Sequence, residues 1–174
     1  MAGFHETPKG ERVHIAFFGR RNAGKSSLVN AFTGQNLAIV SDIKGTTTDP
    51  VYKAMELLPV GPVMIIDTPG IDDEGELGAL RVSKTKQVLN KADLAVIVVD
   101  AAQTLSDAEE RLMEAAKERN IPHLIVWNKS DLLTHVPENT SDAVWVSAKQ
   151  GTGIHELRET CAALAKSEEN NRRI

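Results

Sequence analysis

The chain has 174 residues, of which 41% are hydrophobic and 25% are charged, and this composition predicts one packed domain of ordinary size. The net charge of −4 argues against a broad nucleic-acid-binding face, which needs a basic surface, so nucleic acid is not an expected partner. No apolar run is long enough for a transmembrane helix, residues 1–12 lack a secretory signal, and the one cysteine excludes an internal disulfide. We therefore expect a cytoplasmic protein with no membrane partner.

Strand-like and helix-like segments alternate along the whole chain. The apolar segment 63–66 is typical of a strand covered on both faces, whereas the mixed polarity of 51–58 places that strand at an edge. Alternating strands and helices predict an α/β fold of three layers, with helices on both faces of a mostly parallel sheet. Such sheets bind ligands outside the carboxyl ends of their strands. The predicted strands are 13–18, 51–58, 63–66, 94–99, 121–127 and 143–146, and the predicted helices start at Gly24, Leu77, Ser106 and Ile154.

The C-terminal segment carries an apolar stripe at helical spacing. Apolar residues recur there at intervals of three, four and three, at Ile154, Leu157, Cys161 and Leu164. This spacing places Cys161 in the core rather than at a reactive position. We divide the chain into an N-terminal tail, one domain, and a polar C-terminal tail or linker, at 1–12, 13–167 and 168–174.

The segment between the first strand and the first helix, Gly19-Arg-Arg-Asn-Ala-Gly24-Lys25-Ser26, fits the phosphate-loop pattern G-x-x-x-x-G-K-[ST]. Its glycines let backbone N–H groups approach phosphate oxygens, and the helix N-terminus adds a positive dipole end. Lys25 would place a charge against the β- and γ-phosphates, and the Ser26 hydroxyl is suited to Mg²⁺. The pattern therefore predicts a P-loop NTPase. Its predicted phosphate-binding residues are Gly19, Asn22, Ala23, Gly24, Lys25, Ser26, Ser27 and, from a later motif, Gly70.

The segment Asn128-Lys129-Ser130-Asp131 follows an apolar strand and predicts guanine as the base. An aspartate can accept two hydrogen bonds from guanine N1–H and the exocyclic amino group. Adenine lacks this pair of donors and would leave a buried carboxylate unpaired. Asn128 could contact the base edge or tie the phosphate loop to this segment, and the stem of Lys129 could cover the base face.

A second base-binding segment is predicted at Ser147-Ala148-Lys149, directly after the last strand. The Ala148 N–H would donate to guanine O6, and Lys149 would pack on the base. Alone, the segment would be an ordinary strand-to-helix turn, but beside the other motifs we interpret it as base binding. Residues 13–167 are therefore expected to form a Ras-like G domain that binds GTP and GDP.

Two further loops carry the predicted Mg²⁺ ligands and switch segments. Asp67 of Asp67-Thr-Pro-Gly70 follows a buried strand and would hold Mg²⁺ through a water, while the Gly70 N–H would contact the γ-phosphate. A threonine of Gly45-Thr-Thr-Thr-Asp49 would close over Mg²⁺ only when the γ-phosphate is present. Three consecutive threonines leave the exact ligand open on this reasoning.

The four motifs in this order resemble the translation-factor-related GTPases grouped with Era and the tRNA-modification enzyme MnmE. Residues 38–49 resemble that group closely. The resemblance implies that Thr47 is the switch threonine that binds Mg²⁺. It also implies that Lys25, Thr47 and Gly70 are the catalytic residues.

The stretches 47–62 and 71–82 further resemble the HydF family, GTPases used in maturing [FeFe]-hydrogenase. This resemblance implies a conformational switch in hydrogenase maturation, with other maturase domains and hydrogenase-maturation proteins as partners. It covers only the G domain of that family. HydF proteins add a dimerisation domain and a cluster-binding domain, so the chain is expected to be an excised domain.

Two positions bear on the rate of hydrolysis. Ile71 stands where Ras-type proteins carry a glutamine and cannot hydrogen-bond an attacking water, so we expect slow hydrolysis, at about 10⁻⁴ to 10⁻² s⁻¹. In relatives with G-x-x-N-x-G-K-S, the residue matching Asn22 helps to hold K⁺, which implies K⁺-stimulated hydrolysis and a homodimer through the switch segments. The alternative for Asn22 is a turn residue that tolerates a left-handed backbone.

Two other functions fit the same motifs. One is a ribosome- or tRNA-directed GTPase, although no RNA-binding appendage is recognisable in the sequence. The other is a binding module in which GTP occupancy alone alters a partner contact and hydrolysis is incidental.

Overall fold

Six strands form one sheet in the part of the chain that the computed structural model describes, residues 12–34, 49–68 and 85–172. The strands are β1 Val13–Gly19, β2 Val51–Leu57, β3 Gly61–Asp67, β4 Leu94–Asp100, β5 His123–Asn128 and β6 Ala143–Trp145. Across the sheet they follow the order β2-β3-β1-β4-β5-β6. All neighbours pair in parallel except β2 and β3, which are antiparallel.

Helices occupy most of the connections between these strands. Helix α1 stops at Gly34, whose φ of 67° lies in the left-handed region that glycine adopts easily. Helix α3 begins after Ser106, whose backbone N–H donates to the Glu109 carboxylate at 2.6 Å, as a capping box requires. The described helices are α1 Lys25–Thr33, α2 at 85–91, α3 Asp107–Glu118 and α4 Ile154–Arg172.

Each face of the sheet carries a hydrophobic core, because alternate residues of a strand point to opposite faces. One core joins β1 to α1 and α4 and includes Ile15, Phe17, Phe32 and Leu157. The other joins β1 to α2 and α3 and includes Ala16, Phe18, Leu89 and Leu112. This arrangement confirms the predicted three-layer α/β fold with a mostly parallel sheet and helices on both faces.

The details mostly follow the sequence-based expectations. Strand β2 lies at the sheet edge as predicted, and Cys161 is fully buried, which confirms its place in the core. The last helix continues to Arg172, so the polar segment from residue 168 is helical to that point. A helix can itself be a linker, so the domain boundary stays a prediction. Within the described ranges, no helix is both long and apolar enough to cross a membrane.

Candidate nucleotide-binding site

One edge of the sheet collects the predicted site segments. Strands β1, β3, β4, β5 and β6 run parallel to one another, so their carboxyl ends lie at the same edge. The predicted phosphate loop, the predicted Mg²⁺ aspartate and both predicted base segments lie at or directly after these strand ends. The residues that end β1, β3, β4 and β5 are Gly19, Asp67, Asp100 and Asn128.

The phosphate loop makes a tight turn between β1 and α1. Residues 21–23 form one 3₁₀ turn, in which the Ala23 N–H donates to Arg20 O at 3.1 Å. Gly24 then adopts a φ of 77°, a left-handed backbone that a residue with a Cβ rarely adopts. A Cβ at Gly24 would also lie 2.6 Å from Asn128 Nδ2. Both constraints explain why the pattern needs glycine here.

Lys25 and Asp67 form an ion pair, although they belong to different motifs. Lys25 Nζ donates to Asp67 Oδ1, and both side chains are largely buried. Ser26 and Ser27 are exposed in the first turn of α1, where backbone N–H groups lack partners within the helix. A lysine, a carboxylate, two hydroxyls and a helix N-terminus therefore lie together.

Thr68 fixes the end of β3 beside the phosphate loop. Its backbone N–H and its hydroxyl both donate to Phe17 O of β1, at 3.2 and 2.7 Å. This double hydrogen bond places the preceding Asp67 next to Lys25. The sequence motif alone does not reveal this role of Thr68, because it does not show which carbonyl lies within reach.

Asn128 links three predicted segments through one side chain. Its Nδ2 donates to Ala23 O of the phosphate loop at 2.9 Å, and its Oδ1 accepts from the Ala148 N–H at 3.0 Å. The side chain is only 2% exposed, so these contacts are shielded from water. Of the two roles that the sequence leaves open for Asn128, the structure shows the tie between phosphate loop and base segments.

Lys129 makes a second link to the phosphate loop. Its backbone is left-handed, with φ 64°, and its Nζ donates to Asn22 O at 2.6 Å. The same Nζ lies 3.4 Å from Asp100 Oδ2 at the end of β4. Sequence reasoning did not single out Asp100, although an acid that ends a fully apolar strand is a usable signal.

The predicted base aspartate contacts the second base segment. Ser147 Oγ donates to Asp131 Oδ1 at 2.8 Å and accepts from the Gln150 N–H at 3.2 Å. A carboxylate can accept several hydrogen bonds, so this contact leaves Asp131 able to accept from a base. Lys149 is exposed beside this pair.

One backbone donor of the predicted base site has a partner within the chain. The Ala148 N–H, expected to donate to guanine O6, donates to Asn128 Oδ1. A base oxygen would have to share or replace this acceptor. Thr47, Gly70 and Ile71 lie outside the described residues, so their roles stay predictions.

The phosphate loop after β1, together with the linked segments after β5 and β6, defines a GTP-binding G domain of the P-loop class. The chain belongs to the family described as 50S ribosome-binding GTPase, which residues 14–129 match. Its Ras-like sheet order and its motifs agree with this membership.

Curated relatives include two tRNA modification GTPases named MnmE. The protein of Thiobacillus denitrificans is 36% identical over 149 residues, which cover 85% of this chain and 33% of the relative. The protein of Aquifex aeolicus is 39% identical over 153 residues, which cover 86% of this chain and 34% of the relative. The chain therefore spans about a third of these relatives.

Solved structures of Era share the fold. An Era variant from Aquifex aeolicus bound to GDP and AlF₄⁻ has a TM-score of 0.72 at 30% identity, over 85% of this chain and 55% of that one. Era in complex with MgGDPNP and part of 16S ribosomal RNA has a TM-score of 0.72 at 29% identity, over 86% and 55%. The predicted relation to the Era and MnmE group is confirmed, whereas the narrower HydF resemblance gains no support from these relatives.

Proposed function

We propose that this chain binds GTP with Mg²⁺, hydrolyses it slowly to GDP and phosphate, and so acts as a conformational switch. The observation that carries the proposal is that the Asn128 side chain donates to Ala23 O and accepts from the Ala148 N–H, which holds the phosphate loop and both base segments at one sheet edge. Family membership supports hydrolysis, since the family is one of GTPases. The test is to measure by chromatography how fast the chain forms GDP from GTP, with ATP as the comparison substrate. Turnover no faster than that of Lys25→Ala would contradict it.

The residues at the phosphate loop fit Mg²⁺, which prefers hard oxygen ligands. Asp67 supplies a carboxylate and Ser26 an exposed hydroxyl at that loop, and Thr47 would add a second hydroxyl. When bound, Mg²⁺ neutralises charge on the β- and γ-phosphates. Lys25 would hold the same phosphates, and the Gly70 N–H would contact the γ-phosphate. The remaining predicted phosphate contacts are Gly19, Asn22, Ala23, Gly24 and Ser27.

The segments after β5 and β6 would make the chain bind guanine rather than adenine. Asp131 would accept from the two guanine donors while Ser147 holds its other oxygen, at 2.8 Å. Lys129 and Lys149 would cover the base. The Ala148 N–H would donate to guanine O6 as a second acceptor, shared with Asn128 Oδ1. Adenine would leave the Asp131 carboxylate without partners, which is unfavourable.

Slow turnover and K⁺ stimulation complete the catalytic proposal. Ile71 offers no hydrogen bond to an attacking water, so Lys25, Thr47 and Gly70 would act mainly by positioning and charge stabilisation. Asn22 would help to hold K⁺ beside the phosphates, in a site that a homodimer through the switch segments would complete. The exposed position of Asn22 within the phosphate loop is compatible with such a role.

Two cellular settings have specific support. The MnmE relatives, 36% and 39% identical, favour a role in tRNA modification. Era is solved with ribosomal RNA, so RNA is a candidate partner of the whole protein, although the net charge of −4 favours contact through parts outside this chain. The second setting is hydrogenase maturation, favoured by the resemblance of 47–62 and 71–82 to HydF.

A domain exchange separates these settings. The chain replaces the G domain of an MnmE in one deletion strain and that of a HydF in another, with Asp131→Asn chimeras as matched controls. Restored tRNA nucleoside modification, measured by mass spectrometry, supports the first setting. Restored hydrogenase activity supports the second. Chimeras that bind GDP but restore neither activity contradict both.

A further inference from the structure

A carboxylate lies fully buried close to the phosphate loop. Glu109, the third residue of α3, is 0% exposed. Its Oε1 accepts from the Ser106 N–H at 2.6 Å. Its Oε2 is equally inaccessible, and no hydrogen-bond donor of the described residues reaches it. Capping α3 therefore accounts for only one oxygen of this side chain.

The second oxygen faces a cation of the phosphate loop. Arg20 Nε lies 4.0 Å from Glu109 Oε2, and the Arg20 side chain is 31% exposed. A buried carboxylate is strongly unfavourable unless a charge or hydrogen bonds compensate it. The N-terminus of α3 supplies part of this compensation and Arg20 supplies an opposite charge. The guanidinium of Arg20 is therefore drawn toward α3.

The backbone of Arg20 takes part in the turn of the phosphate loop. It is the second residue of the phosphate-loop pattern, and its carbonyl accepts the Ala23 N–H that closes the 3₁₀ turn. Fixing its side chain limits the movement of the backbone from which the following N–H groups point. We propose that Glu109 is a positioning residue that, through Arg20, holds the phosphate loop in its nucleotide-binding shape.

This inference rests on the proposed function, so binding of GDP by the unchanged chain is measured first by calorimetry. Absence of binding there would count against the proposed function itself. Glu109→Gln then keeps the size of the side chain and an oxygen for the Ser106 N–H, but removes the charge that faces Arg20. The matched control is Glu110→Gln, which neutralises the next and exposed carboxylate on the same helix.

The expected result is a Kd for GDP about tenfold weaker in Glu109→Gln, which corresponds to about 1.4 kcal/mol, with Glu110→Gln unchanged. In steady state, KM for GTP rises by a similar factor while kcat stays within about twofold, as loss of uniform binding requires. Because Arg20→Ala leaves Glu109 without its cation and could unfold the chain, the decisive comparison is the double variant. Arg20→Ala with Glu109→Gln should bind GDP as Glu109→Gln alone does.

Two outcomes would overturn the inference. One is a Glu109→Gln chain that melts at a lower temperature yet binds GDP like the unchanged chain, because Glu109 would then only cap α3. The other is a double variant that binds GDP about ten times more weakly than Glu109→Gln does. Independent effects add as free energies, so such a loss would mean that Arg20 and Glu109 act separately.

Discussion

Replacing Asn128 by alanine should weaken both the fold and nucleotide binding. The change removes three hydrogen bonds, of 2.9 Å to Ala23 O, 3.4 Å to Gly24 O and 3.0 Å from the Ala148 N–H, at a site only 2% exposed. Leaving a buried backbone group without a partner costs about 1–3 kcal/mol. Gly24 O keeps the Leu28 N–H as a partner. Loss of the partner of Ala23 O and of the Ala148 N–H should together lower the free energy of unfolding by about 2–6 kcal/mol, a large part of the roughly 5–15 kcal/mol of an ordinary domain.

Urea unfolding provides the assay, followed by far-UV circular dichroism and tryptophan fluorescence. Trp127 and Trp145 stack with centroids 6.0 Å apart on β5 and β6, so their emission reports on the strands that carry the base segments. The matched control is Asn139→Ala, because Asn139 also accepts a backbone N–H, at 2.9 Å, but is exposed. In that control the free energy of unfolding should fall by no more than about 1 kcal/mol, because substitutions at exposed positions usually have small effects on stability.

Calorimetry of GDP binding completes the comparison. Loss of the tie between loop and base segments should weaken GDP binding at least tenfold in Asn128→Ala, or about 1.4 kcal/mol. The reasoning is refuted if Asn128→Ala and Asn139→Ala unfold within about 0.5 kcal/mol of each other, the spread expected of surface changes. Equal affinity of the two variants for GDP would refute it as well.

Four further predictions concern base, phosphate, cation and thiol. Asp131→Asn should weaken GDP binding by about 2–3 kcal/mol and favour xanthosine diphosphate, whose base carries an acceptor in place of the guanine amino group. Lys25→Ala should lower GTP turnover about 10²–10³-fold, with Lys91→Ala of the exposed α2 surface as control. Turnover should be faster in K⁺ than in Na⁺ at equal ionic strength, and Asn22→Ala should remove most of that difference. Burial raises the pKa of the Cys161 thiol, so a thiol-specific chromogenic reagent should leave it unmodified until the chain unfolds, and reconstitution with iron and sulfide should leave no cluster on this chain.

Each of these predictions has an outcome that contradicts it. Equal affinity of the unchanged chain for ADP and GDP would contradict the predicted recognition of guanine by Asp131. Full GTP turnover in Lys25→Ala would contradict the predicted phosphate-binding site. Equal rates in K⁺ and Na⁺ would exclude cation stimulation in this chain. A stoichiometric cluster that survives desalting and is lost in Cys161→Ser would show that the thiol is accessible after all.

The fold was largely predictable because the spacing of apolar residues along the sequence indicates which faces of each strand and helix are buried. The apolar segment 63–66 could only be covered on both faces, and it lies buried in β3. The mixed polarity of β2 likewise indicated an edge, where one side of the strand meets water. The end of α4 was not predictable in this way. Polar residues after 167 predict exposure to solvent, and a polar composition does not distinguish a tail from a helix that continues to Arg172.

The site was predictable as a set of motifs but not as a set of contacts. The pattern residues fix which side chains could meet phosphate and base, since glycine, lysine and aspartate each have a distinct chemistry. Which groups pair is decided by tertiary approach between distant residues, and the Asn128 to Ala23 hydrogen bond spans 105 positions. The same reason explains why the Thr68 contact to β1 and the bond between Ala148 and Asn128 could not be derived from the motifs.

The contacts also separate two tasks within the base segments. Asn128 and Lys129 both donate to carbonyls of the phosphate loop, at 2.9 and 2.6 Å, so they stabilise the loop. Asp131 accepts instead from Ser147 of the second base segment, at 2.8 Å, and makes no described hydrogen bond to the loop. A change at Asn128 should therefore affect any phosphate-bearing ligand whatever its base, because it alters the loop. A change at Asp131 should alter the choice of base and leave the loop intact. One four-residue motif is thus predicted to combine a structural pair with a specificity residue.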